Sequence, residues 1–345
     1  MKKNTFSLAK FSKNYLTYIV VAAVAVIYGI LSITGNIKTA DAYLLEKISI
    51  AIILAVSLGM VVGFLGELSL GHAGFMCVGA YLGGKVAVLL EGVLGNGILT
   101  LLISVLAGGL VAAAFGLIIG LPALRLRGDY LAIVTLAFGE IVRSVVMNLP
   151  EKYFGGTLGL ETPRFDKKYL FIISFVFVII TLAVTNNLLK SKHGRAITSI
   201  RDNEIAAKAM GIDVTKYKLF VFMLSSFFAG IAGVLFSYSN YRIQSANFDY
   251  NYSIEILVMV VLGGIGSING SLIAATVITF LNVKLQTLLT GDLAVLQNLF
   301  YSLILIVIII YNNAPALKSF REKYNTKTMI AKLRKKKKNE AKEGE

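Results

Sequence analysis

Long apolar stretches separated by short polar ones recur along almost the whole chain. Ten stand out, at about 17–34, 44–65, 72–90, 98–120, 129–149, 169–188, 218–240, 253–264, 269–289 and 294–311. Most have about 20 residues, the length a helix needs to cross the roughly 30 Å hydrocarbon core of a bilayer. The short alternating segments of a membrane β-barrel are absent. The pattern therefore predicts an all-α polytopic membrane protein of about ten transmembrane helices. The eighth stretch is short for a crossing if it stops at Gly263-Gly264, and both a broken helix and a continuation into the ninth fit it.

Two glycine-rich blocks interrupt the pattern. The first, "GELSLGHAGFMCVGAYLGG" (66–84), holds six glycines, a carboxylate and one of the two histidines of the chain. Glycines there allow helices to approach closely or the backbone to leave helical geometry. Irregular backbone at membrane depth is tolerated only against protein or a water-filled cavity. Glu67, Ser69, Gly71, His72 and Gly74 are therefore candidates for a translocation path or its gate, with close packing as the other reading. The second block, "GGIGSING" (263–270), adds Gly263, Gly264 and Ser267.

Glu140 and Arg143 stand three residues apart inside one stretch, hence on one helix face. Two such charges cost roughly 5–7 kcal/mol in a spanning helix, and about ten large apolar residues return only roughly 3–6. The pair is expected to face the bundle, neutralising itself or lining the path. Lys47, Lys85 and Lys284 are read as side chains that snorkel towards the interfaces.

Composition agrees with the pattern: 56% of residues are hydrophobic and 15% charged. Charge adds the orientation. Of 34 Lys and Arg residues, 24 fall before the first stretch, in 122–128, in 189–218 or after 311. Ten crossings put these four segments on one side, and the excess of cations makes it the cytoplasm. The expected organisation is a basic tail at 1–16, a permease domain at 17–311 containing the loop 189–218, and a basic tail at 312–345. Lys-rich residues 2–13 followed by an apolar stretch and "ADA" (40–42) mimic a signal peptide, but the stretch is longer than an h-region and is read as an uncleaved first helix. The net charge of +15 does not point to nucleic acid, because the run "KLRKKKK" (332–338) just past the last stretch suits anionic lipid.

Little suggests chemistry. The single Cys77 excludes an internal disulfide. His72 and His193 are far apart, so no metal, cofactor or catalytic site is expected. No GxxxxGK[ST] loop is present to cradle ATP phosphates.

The segment "KSKHGRAITSIRDNEIAAKAMGIDVTKYKLFVFMLSSFFAGIAG" (190–233) begins as a polar loop. Asp202 or Asn203 can cap a helix, Glu204 suits its first turn, and Gly211 can supply the left-handed residue that ends it. A helix of about two turns follows, with Ala206, Ala207, Ala209 and Met210 giving it small apolar surfaces. It suits a groove on another protein or a place on the headgroups.

The stretch "GRAITSIRDNEIAAKAMGIDVTKYKL" resembles the cytoplasmic loop of LivM-type permeases of branched-chain amino acid ABC transporters. "GELSLGHAGFMCVGAY" (66–81), "LRLRGDYLAIVTLAFGEIVR" (124–143), "FGGTLGLETP" (154–163) and "VMVVLGGIGSINGSLIAA" (258–275) resemble the same family, in order and over about a third of the chain. The resemblance implies a type II-like importer fold, in a multi-pass protein of the bacterial cell membrane with cytoplasmic termini. It implies a second, LivH-type permease subunit, two ATPase subunits that hydrolyse ATP, and an extracellular binding protein that delivers leucine, isoleucine or valine. It makes the loop a coupling helix, with Arg195, Arg201, Glu204, Ala206, Ala207, Ala209, Met210 and Gly211 as its residues. Relatives that carry urea or short amides share these blocks, so that cargo stays open. So does an ion-coupled carrier, which would need a dense intramembrane carboxylate site or a discontinuous-helix ion site.

Overall fold

The structure is a computed structural model that describes residues 21, 23–29, 38–126, 128–288, 299, 301–303, 306–307 and 310. The tails expected at 1–16 and 312–345 lie outside these residues, and most of the first and last stretches do too. The chain forms two units, Met1–Val283 and Lys284–Glu345. The description below concerns the first.

From residue 39 on, the helices in chain order are α1 (Thr39–Gly59), α2 (His72–Val78), α3 (Gly84–Leu94), α4 (Ile98–Ala123), α5 (Asp129–Met147) and the single turn α6 (Glu151–Phe154). They continue with α7 (Lys167–Lys190), α8 (Lys192–Asp202), α9 (Glu204–Ala209), α10 (Val214–Asn240), α11 (Tyr250–Gly263) and α12 (Ile268–Leu288). Wide π-type turns prolong α1 through Met60–Leu65 and join α2 to α3 through Gly79–Gly83. Two short strands, β1 (Leu160–Glu161) and β2 (Arg242–Ile243), pair antiparallel.

Seven helices among the described residues are long and apolar enough to cross a membrane: Ala40–Leu65, His72–Leu94, Ile98–Ala123, Asp129–Met147, Tyr169–Lys190, Val214–Asn240 and Ile268–Leu288. They coincide with seven of the ten apolar stretches. The eighth stretch is the 14-residue α11, which stops at Gly263 and does not run on into α12. Gly264 and Gly266, at φ +92° and +83°, take the left-handed backbone of that break.

The centre of the unit is a seam of small residues where α10 crosses α2 and α4. A Cβ on Gly79 would fall on the backbone of Gly230, and one on Gly233 on the carbonyl of Met76. With no hydrophobic force between helices in lipid, such close approach is what gives packing energy. α4 shows the pattern along its length. Gly108, Gly109, Ala112, Gly116 and Gly120 lie on its buried side, while Leu99, Leu106, Leu110 and Ile118 point outwards.

Two segments without α-helical geometry lead to helix starts beside α5. α1 closes at Gly66, left-handed at φ +81°, and residues 67–71 are not helical. They run beside α5: Leu70 N–H donates to Thr135 Oγ1 at 3.0 Å. Thr135 lies about 9 Å along α5 from its start at Asp129, so α2 begins well inside. The other segment follows β2. Tyr250, the first residue of α11, donates its N–H to Glu140 Oε1 at 3.1 Å, and Glu140 lies about 10 Å before the end of α5. The two helix starts meet there, where Ala73 N–H donates to Ser253 Oγ at 3.0 Å.

Candidate functional site

The meeting point of α2 and α11 gathers most of the residues expected to line a path. Glu140 and Arg143 form an ion pair of 2.8 Å, with side chains 30% and 35% exposed, which leaves one side of the pair open. Glu140 is therefore shared between Arg143 and the first N–H of α11, an anion placed where the helix macrodipole favours it. Gly71 and Gly74 pack α2 against α5: a Cβ on Gly74 would come within 2.7 Å of Gly139 Cα, and one on Gly71 would strike the carbonyl of Thr135. His72 is buried, its Nε2 lying 2.8 Å from Ser57 Oγ of α1. Ser69 is buried as well.

The second glycine-rich block lies apart from this point. A Cβ on Gly63 would come within 2.6 Å of Gly266 N, so the α11–α12 break packs against the end of α1. Gly263 packs against the backbone of Gly270, and Ser267 Oγ accepts from Gly270 N–H at 3.1 Å, capping α12 locally. Gly263, Gly264 and Ser267 thus form a tight connection beside the end of α1, not part of the α2–α11 meeting point.

The polar loop contains two helices rather than one. Ser191 caps α8 by accepting from the N–H groups of His193 and Gly194, and Gly194, Ile197 and Ile200 form its buried face. Arg195 points outwards. Arg201 is tied by Nη1 to the Gly63 carbonyl at 3.1 Å and by its guanidinium to Asp202. Asn203, not Asp202, caps α9, accepting from Ala206 N–H at 3.0 Å. Gly211, at φ +81°, ends the turn as expected. Ala206, Ala209 and Met210 are exposed, and Ile205 joins them at 76%. Ala207, expected on the docking face, is instead buried at 4%. It holds α9 onto the protein, so a bulky residue there would test internal packing, not docking. Between the starts of α8 and α10 lies an open cleft of about 510 Å³ lined by His193, Gly211, Asp213, Lys216, Tyr217 and Phe220 among others.

Three polar groups escape a reading of the sequence alone. Lys218, near the start of α10, bonds Glu67 Oε1 at 2.5 Å and Glu204 Oε2 at 3.1 Å. Glu46 is fully buried and accepts from Ser239 Oγ at 2.6 Å. Lys47 does not snorkel: its Nζ lies 3.2 Å from Asn240 Oδ1 and 4.0 Å from the centre of the Phe236 ring. The adjacent charges at 46 and 47, just inside the start of an apolar stretch, are a signal that one of them has a buried partner.

The family described as "Branched-chain amino acid transport system / permease component" matches residues 42–311. The chain is 35% identical over 261 residues to the high-affinity branched-chain amino acid transport system permease protein LivM of Salmonella typhimurium, covering 66% of this chain and 60% of that protein. It is 35% identical over 257 residues to the protein of the same name in Escherichia coli K12, covering 66% and 59%. A shorter match, 36% over 118 residues, covering 32% of this chain and 36% of the relative, is to the ribose import permease protein RbsC of Haemophilus influenzae. The chain thus spans about 60% of the length of the two LivM proteins. No solved structure matches it. With seven apolar helices among the described residues long enough to cross a bilayer and a match over most of its length, the chain is a multi-pass membrane protein that belongs to the family of branched-chain amino acid transport permease components.

Proposed function

We propose that this chain is a non-catalytic permease subunit of an ATP-binding cassette importer and, paired with a LivH-type permease, forms the path for leucine, isoleucine and valine. The observation that carries the reading is the meeting of two helix starts inside the bundle, α2 entered from one end and α11 from the other, beside the open Glu140–Arg143 pair. Discontinuous helices at membrane depth are the arrangement by which transporters present backbone and charge to a polar solute. A zwitterionic amino acid carries both charges that such a pair can recognise. The names of the LivM relatives support this cargo.

The same reading covers the finer architecture: about ten crossings, a type II-like importer fold, a cell-membrane location and both termini in the cytoplasm. It puts the β1–β2 pair on the extracellular side, where a binding protein delivers the solute. The loop end faces two ATPase subunits. There the exposed Ile205, Ala206, Ala209 and Met210 of α9 and the adjacent cleft offer a docking surface, flanked by Arg195. ATP hydrolysis belongs to those partners, and the basic tails rest on anionic lipid.

The test is reconstitution of this chain with its permease partner, the two ATPases and the binding protein in liposomes. ATP-dependent accumulation of labelled leucine, isoleucine and valine, in preference to urea, is expected. Accumulation driven by an ion gradient without ATP would overturn the importer reading. Uptake of urea alone would keep the importer and change its cargo.

A further inference from the structure

Lys218 stands in the first turns of α10, at the loop end, where a lysine ordinarily extends to water. Lys208 and Lys216 nearby do so. Lys218 turns inwards instead, with 4% of its side chain exposed, and its ammonium is shared by carboxylates from two separate elements. Glu67, 12% exposed, opens the non-helical segment 67–71. Glu204, 32% exposed, is the first residue of α9. A buried ammonium is tolerated only while paired, so the position of each carboxylate bears on the other.

The far end of segment 67–71 is the start of α2, where His72 meets Ser57 and Ala73 meets Ser253. Five residues therefore separate the ammonium from the junction of α2 and α11. A second attachment of the loop, Arg201 to the Gly63 carbonyl, is of another kind: it ends on the backbone of α1's last turns. Arg201 fixes where the loop sits. Lys218 joins it to the first residue of the non-helical segment, whose own N–H donates to the Val61 carbonyl at 3.1 Å and so closes the end of α1.

We propose that Lys218 is the positioning residue through which engagement of α9 by an ATPase subunit controls segment 67–71, and so the junction of α2 and α11. This rests on the importer reading above. In the arrangement seen, two carboxylates compete for one cation. When a partner draws Glu204 away, the ammonium is left to Glu67 alone and its hold on the segment tightens. When Glu204 returns, the hold weakens. The coupling lies in the sharing, so a chain in which Lys218 cannot be shared should hydrolyse ATP without a matching amount of transport.

The experiment compares Lys218→Gln and Glu204→Gln with the native chain in the complete reconstituted complex, measuring uptake and binding-protein-stimulated ATP hydrolysis in the same vesicles. The ratio of solute moved to ATP consumed is expected to fall about tenfold in each. Combining Lys218→Gln with Glu204→Gln should lower the ratio no further than the worse single change, since both remove one linkage. Uptake and hydrolysis falling in step, an unchanged ratio, or fully additive losses would each overturn the proposal. Should Lys218→Gln fail to assemble, Glu204→Gln, whose carboxylate is nearer solvent, decides the matter by the same ratio. A native complex that shows neither stimulated hydrolysis nor ATP-dependent uptake would instead overturn the importer reading.

Discussion

Glycine does two different jobs in this molecule, and the two regions that use it differ in what they ask of the backbone. In the seam between α2, α4 and α10, Gly79, Gly108, Gly230 and Gly233 are helical, and what counts is the missing Cβ. In the breaks, Gly66, Gly264 and Gly266 hold left-handed backbone at φ +81°, +92° and +83°, and what counts is conformational freedom. The seam should be sensitive to size alone. The breaks should be sensitive to chirality, even where space is available.

The largest effect should come from bulk in the seam. Gly79→Leu would drive a side chain into the Gly230 backbone, and its cost should reach the upper end of the about 1–3 kcal/mol typical of overpacking. Loss of the folded protein in detergent, read by thermal unfolding and size-exclusion chromatography, is expected. A monodisperse, thermally unchanged variant would show that the seam can open. Gly74→Leu should behave similarly at the α2–α5 contact, with transport lost even if insertion survives.

Next in size is the break. Gly66→Ala would cost about 1–2 kcal/mol for left-handed backbone, and its Cβ, within 2.7 Å of Arg201 Cγ, would also displace that side chain. The variant should fold and reach the membrane but transport poorly, measured as initial uptake at matched protein levels. Equal damage from Gly66→Ala and Gly79→Ala to folding would erase the distinction between the regions.

The Glu140–Arg143 pair gives a smaller, sharper test. Replacing both residues by their neutral counterparts should harm stability less than the sum of the single changes, by about 1 kcal/mol in a double-mutant cycle. Additive losses would mean that the two act separately. The smallest effect is expected at Gly211, also left-handed but with nothing within 4 Å of a Cβ placed there. Gly211→Asn should change stability by less than about 0.5 kcal/mol, because asparagine tolerates this backbone. Gly211→Val should weaken co-purification of the ATPase subunits.

Much of the fold was legible in the sequence because a spanning helix announces itself by length and hydropathy, which need no knowledge of neighbours. The Glu140–Arg143 pair was legible for a similar reason, since its spacing is local. Gly211 and the cap of α9 followed from rules that reach only a few residues. What was not legible depends on distant parts of the chain. Lys218 and Glu67 are 151 residues apart, and nothing near either one names the other. α8 was missed because its buried face consists of only Gly194, Ile197 and Ile200 in a strongly polar context. Ala207 was assigned outwards because small residues look alike on both faces of a two-turn helix. The glycine-rich blocks were correctly marked as interruptions, but seam and break share one letter, and only the backbone tells them apart.

The contact between Ala73 and Ser253 has a consequence for how the protein is made. The two residues are 180 positions apart, and a ribosome adding about 5–20 residues per second needs on the order of ten to forty seconds between them. Throughout that interval the first turn of α2 lacks the hydroxyl that will accept its N–H, and a backbone group left unsatisfied in hydrocarbon costs several kcal/mol. The nascent chain must therefore keep residues 67–73 hydrated or sheltered beside the insertion machinery until α11 is synthesised. Assembly is thus obliged to finish from the C-terminal side. A chain stalled before residue 253 should be recognised by membrane quality control as unfinished, although most of its apolar helices are already in place.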